Sequence, residues 1–139
     1  MTRKIVVALL LSLLIGCGGS STPPPPPPTI TGAWVGTVTS VSGNSETTNG
    51  NLVQGITNPD GSILFSGTLF FSSGCLSSLT ISGKVAGGAF ALSGTFSDGT
   101  TLDVTATINA ADTAINGNYN STGGSVCASD RGTFALHKQ

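Results

Sequence analysis

Thr100-Thr101-Leu102-Asp103-Val104-Thr105-Ala106-Thr107-Ile108-Asn109 alternates apolar and polar residues without a break. Successive side chains of a strand point to opposite faces. Leu102, Val104, Ala106 and Ile108 therefore share one face, and Thr101, Asp103, Thr105 and Thr107 the other. The alternation predicts a strand over 100–109 with one buried and one wet side. Threonine suits the wet side, because its branched Cβ packs on a pleated surface.

The same parity applies on both sides of this stretch. A short pattern, residue-Gly-polar-apolar, recurs as Val35-Gly36-Thr37-Val38, Ser66-Gly67-Thr68-Leu69, Ser82-Gly83-Lys84-Val85, Ser93-Gly94-Thr95-Phe96, Asn116-Gly117-Asn118-Tyr119 and Arg131-Gly132-Thr133-Phe134. Gly94 falls in phase with Phe90, Leu92 and Phe96, and Gly67 with Phe65, Leu69 and Phe71. The glycines are thus expected on the inward face, each two residues from a large side chain. Glycine within a strand ordinarily weakens it. Repeated on one face, it lets a sheet bend sharply and leaves room for a neighbour's bulk.

Turn signals divide the region into eight strands, expected at 31–41, 49–57, 62–72, 78–86, 88–96, 100–109, 113–121 and 131–138. Asn58-Pro59-Asp60-Gly61 and Ser97-Asp98-Gly99 read as hairpin turns. Short connections imply sequential antiparallel neighbours. The expected fold is all-β, an eight-stranded antiparallel up-and-down β-barrel, with a two-sheet β-sandwich as the competing architecture. The second strand has the least contrast, since Leu52, Gln54 and Ile56 alternate with residues of similar character.

Gly32-Ala33-Trp34 opens the first strand. It is similar to the Gly-X-Trp that opens lipocalin and avidin-like (calycin) barrels. In those families a basic residue near the last strand packs across the Trp. The resemblance implies that Arg131 closes the barrel over Trp34. It covers only those positions and the strand count. The chain lacks the long first loop and flanking helix of a lipocalin, and no ligand residues carry over.

At the other end of the chain, Arg3 and Lys4 precede an apolar run from Ile5 to Ile15. That is the n-region and h-region of a secretory signal, too short to span a bilayer. Leu14-Ile15-Gly16-Cys17 resembles the lipobox of bacterial lipoproteins. The resemblance implies cleavage after Gly16, a diacylglyceryl thioether on Cys17, acylation of its new amino group and location in the cell envelope. Gly18 stands where Asp is associated with inner-membrane retention, which implies outer-membrane sorting in a Gram-negative host. The division is then 1–16 signal peptide, 17–29 lipidated Cys and linker, and 30–139 barrel. The linker holds six prolines, Pro23 to Pro28, after a Gly/Ser-rich start. It is expected to act as a spacer, its prolines forming a polyproline II rod of ~19 Å.

An exported chain meets an oxidising compartment. With Cys17 taken by lipid, Cys75 and Cys127 are left as an even pair. They are expected to form a disulfide across two loops at the end remote from the N-terminus; two separate buried thiols are the other reading. Such a bridge would close about 50 residues, worth ~4 kcal/mol in the chain-entropy model.

Chemistry-bearing residues are few. The chain has 5 Lys plus Arg, 6 Asp plus Glu and one His. No basic patch offers itself to a phosphate backbone, so nucleic acid is not expected as a partner. No cofactor motif or metal-ligand spacing occurs. The Gly83-Lys84 pair lacks the earlier glycine of a phosphate loop, since Ser78 occupies that position. His137 is expected to face out near the C-terminus. Asp60, Asp98, Asp112 and Asp130 fall in expected turns, where Asp supplies local backbone hydrogen bonds. Glu46 is the only Glu, and no two acids share a strand face. Leu64, Val35 and Phe70 fall on the outward parity and mark either an apolar patch or a bulge. The expected protein is not an enzyme. It is a membrane-anchored lipoprotein with a structural or partner-binding β domain and a side-chain-filled core. The alternative is a lipocalin-like binder of a small apolar ligand.

Overall fold

A computed structural model describes residues 26–72, 77–126 and 128–139. It contains eight strands: β1 (Gly32–Ser40), β2 (Ser45–Thr57), β3 (Ile63–Phe71), β4 (Ser78–Ala86), β5 (Ala89–Thr95), β6 (Thr101–Ile108), β7 (Ala114–Thr122) and β8 (Asp130–Lys138). Each pairs antiparallel with its sequence neighbours, and β8 returns to β1 to close the barrel. The closing ladder runs from Trp34 opposite Lys138 to Ser40 opposite Gly132. A sandwich would leave β1 and β8 on separate sheets, so this ladder decides for the barrel.

The strand spans follow the sequence expectation closely except in β2, which begins at Ser45 and not near 49. Ser45 to Thr48 pair with Thr39 to Gly36, a run of polar residues without apolar contrast. Thr48 is nevertheless fully buried. The strand there is held by its place beside β1, which periodicity does not reveal.

The inward face carries the core. Leu102, Val104 and Ile108 of β6 are buried, as are Phe90 and Leu92 of β5, and Phe134 and Leu136 of β8. The glycines lie among them for a steric reason. A Cβ on Gly94 would sit 2.6 Å from the Thr80 carbonyl oxygen and 2.9 Å from Leu79 Cδ1. A Cβ on Gly83 would meet the Phe65 ring directly. Phe65 instead stacks on Phe90, with centroids 4.7 Å apart. Strands β3 and β5 flank β4, so a missing side chain on β4 permits an aromatic pair across it.

Two ends result. The near end carries the N-terminal segment, the C-terminus and the turns β2–β3, β4–β5 and β6–β7. The far end carries the turns β1–β2, β3–β4, β5–β6 and β7–β8. Cys75 and Cys127 belong to far-end connections but lie outside the described residues, as do Cys17 and the linker up to residue 25.

Candidate functional site

The near end is sealed from within. Ile30 and Trp34 are both fully buried. Trp34 Nε1 donates to the Ile30 carbonyl at 2.9 Å, which satisfies the one polar group of the indole. Just outside, Thr29 N donates to Asp112 Oδ2 at 2.8 Å, and Lys138 Nζ donates to Thr29 O at 2.8 Å. The segment that joins the linker to the barrel is thus pinned across the near mouth from β8 and the β6–β7 turn.

The cation over Trp34 is Lys138, with Nζ 5.6 Å from the ring centroid. Arg131 does not close the barrel over Trp34 as the calycin resemblance implied. It is exposed at the opposite end of β8, where its carbonyl accepts from Val41 N. The reason is register. Strand β8 runs antiparallel to β1, so its last residues meet the start of β1. Both basic residues lie in the last strand, near its two ends, and parity with Phe134 and Leu136 was the available signal for Lys138.

The far mouth holds a polar cluster on inward positions. Tyr119 Oη donates to Asp130 Oδ2 at 2.5 Å, and Ser40 Oγ donates to Asp130 Oδ1 at 2.8 Å. Burial, then the bond to Asp130, push the Tyr119 phenol well above its ordinary range. The same bond, followed in the lowering direction by the Ser40 hydroxyl, holds the Asp130 carboxyl below its ordinary range. The pair is a neutral phenol donating to an ionised carboxylate at neutral pH. Both Asp130 oxygens accept, so the group is poorly placed to take a substrate's proton. Glu46 shares the inward face of β2 with Thr48, and its charge adds to the rise at Tyr119. Sequence reasoning missed this cluster. Glu46 and Asp130 lie on β2 and β8, and only closure of the barrel sets them on either side of β1. Asp130 is not a turn residue but the first residue of β8.

Asp60 and Asp98 do the turn work expected of them, whereas the Asp112 carboxylate reaches out of its turn to Thr29 N and Asn109 makes the local bonds there. Asp60 accepts from the Ser62 amide and hydroxyl, and Asp98 from the Thr100 amide and hydroxyl. The Ser62 bonds, hydroxyl first, bring Asp60 down to about 2, with Lys84 assisting. Asp98 also accepts from Val126 N at 3.1 Å, which ties the β7–β8 connection to the β5–β6 turn. Asp112 is the one described non-glycine residue at positive φ, 56°. Among the described residues, no group of three His, Cys, Asp or Glu is placed to hold a metal ion.

On the outer wall His137 is exposed, in register with Val35 and Ala114. Leu64 and Phe70 are exposed as their parity implied, while Val35 is half-buried. A groove of about 600 Å³ crosses β3 to β6, bordered by Leu64, Lys84, Ala91, Ser93, Asp103 and Thr105. Small outward side chains on β5 leave it shallow, and Ser93 stands opposite Asp103 in its floor.

No protein family, curated protein or solved structure matches the chain.

Proposed function

We propose that this protein is a lipid-anchored lipoprotein of the cell envelope, whose barrel is a non-catalytic structural or interaction module. The anchor rests on Leu14-Ile15-Gly16-Cys17 behind a short apolar run. Gly18 after the Cys favours the outer membrane of a Gram-negative host. The interaction reading rests on one observation: the lumen is occupied by the protein's own side chains. Ile30 and Trp34 fill the near mouth, and Phe65, Phe90 and Phe134 are buried as well. An eight-stranded barrel is just wide enough to be filled in this way. The working surface is then the outer wall and the far-end loops. A carrier of apolar ligands would need lumen space where these side chains stand.

The test is fractionation of cells that carry the full chain or its Cys17→Ala variant. The parent should sediment with membranes, and the variant should leave them. A variant that stays in the membrane pellet sinks the anchor. With the unacylated Cys17→Ala protein, a fluorescent apolar probe should show no saturable one-to-one binding; such binding would favour the carrier reading instead.

A further inference from the structure

The ladder between β2 and β3 contains a step beside the point where the N-terminal segment reaches the barrel. Gln54 pairs with Phe65 and Thr57 with Ile63, so Gly55 and Ile56 together oppose Leu64. Two residues against one form a β-bulge, which re-aims a side chain. In an unbroken ladder Ile56 would share the inward parity of Leu52 and Gln54. Here it is 72% exposed, next to Val53 at 56% and Leu64 at 41%. Turning an isoleucine out of a core forgoes hydrophobic stabilisation, so its position calls for a partner outside the core.

The location identifies that partner. Gln54 N, next to Val53, donates to Thr31 Oγ1 at 2.9 Å. From Thr31 the chain passes back through Thr29 to the exposed Pro27 and Pro26. Thr29 itself is held across the mouth by Asp112 and Lys138, so the linker reaches the fold at the near end, the end whose β2–β3 rim carries Val53, Ile56 and Leu64. The 12 residues from Gly18 to Thr29 span at most about 40 Å from Cys17. A tether of that length keeps the near end within reach of the headgroups and makes even weak contact effective. Lys84, opposite Leu64 in the ladder, brings an ammonium to the same rim. Its 3.4 Å pairing with Asp60 is solvent-exposed and readily exchanged for a lipid phosphate.

We infer that the rim formed by Val53, Ile56 and Leu64 is a membrane-contact surface, seated in the interfacial layer of the bilayer that holds the acyl chains of Cys17. The inference rests on the lipid-anchor reading. It orients the barrel with its near end down and its far-end loops away from the membrane.

The test uses the full acylated chain in vesicles of phosphatidylethanolamine and phosphatidylglycerol, with or without brominated acyl chains. Three variants are compared: Ile56→Trp, Leu64→Trp and, at the far end, Val41→Trp. Val41 is 71% exposed, so all three positions tolerate a large side chain, and buried Trp34 contributes a common background. Ile56→Trp and Leu64→Trp should be blue-shifted and lose most of their added emission in brominated vesicles. Val41→Trp should keep its emission. Equal emission from all three in protein that floats with the vesicles overturns the contact surface and leaves the anchor standing. Protein that does not float overturns both.

Discussion

Asp60 shows how much one side chain can do within a four-residue turn. Its carboxylate accepts from the amide and hydroxyl of Ser62, and this preference for the ionised form brings its pKa to about 2. The folded value lies below the ordinary carboxylate value of 3.8. Its contribution to stability is therefore fully present above about pH 4 and fades as pH falls toward 2. Asp130, lowered by the Tyr119 bond, acts in the same direction. Thermal melts of the parent should lose stability across that window, and Asp60→Asn should flatten part of the loss. A variant profile superimposable on the parent's would show that the Ser62 bonds favour neither protonation state.

Strand β5 shows why glycine recurs at inward positions. Gly94 is in register with Ile81 on β4 and Leu102 on β6, two bulky core residues. The space a Cβ would need is already taken by the Thr80 carbonyl and the Leu79 side chain. A backbone oxygen cannot rotate aside, so the strand itself would have to move. Gly94→Val should therefore cost about 3 kcal/mol or more, at the upper end of overpacking effects. Chemical denaturation measures it directly, and a midpoint equal to the parent's would mean that position 94 faces solvent. Between elements, Asp98 does the equivalent work by hydrogen bonding. It completes its own turn and holds Val126 of the β7–β8 connection against it.

The whole molecule is closed by residues from its two extremes. Lys138, next to last in the chain, lies over Trp34 and donates to Thr29 O. These contacts join β8, β1 and the segment that leads to the linker, so the near mouth and the barrel seam depend on one another. Lys138→Ala removes a cation–π contact of about 0.5–1 kcal/mol and a hydrogen bond of about 1 kcal/mol. The variant should melt a few degrees lower. The emission of Trp34, the one Trp in the chain, should shift to the red as water reaches the near mouth. An unchanged spectrum would show that Ile30 alone seals the indole.

Several levels of this architecture were legible in the residues alone, because they follow from local rules. Alternation over Thr100–Asn109 is a property of strand geometry and needs no neighbour to be read. Short turns such as Asn58–Gly61 force sequential antiparallel pairing, and a glycine in phase with Phe90 and Leu92 must lie on their side of the sheet. Strand number, order and inward face thus came from sequence. Closure into a barrel was also the leading expectation, with a sandwich as its rival. The exposure of Ile56, the choice of Lys138 over Arg131 and the meeting of Asp130 with Tyr119 and Ser40 were not legible there. Each depends on which residue of one strand stands opposite which residue of another. That register is set by packing and hydrogen bonding around the whole ring, where a single bulge reverses a side chain's face. Parity assigns a residue to a surface, but only the closed sheet assigns it a partner.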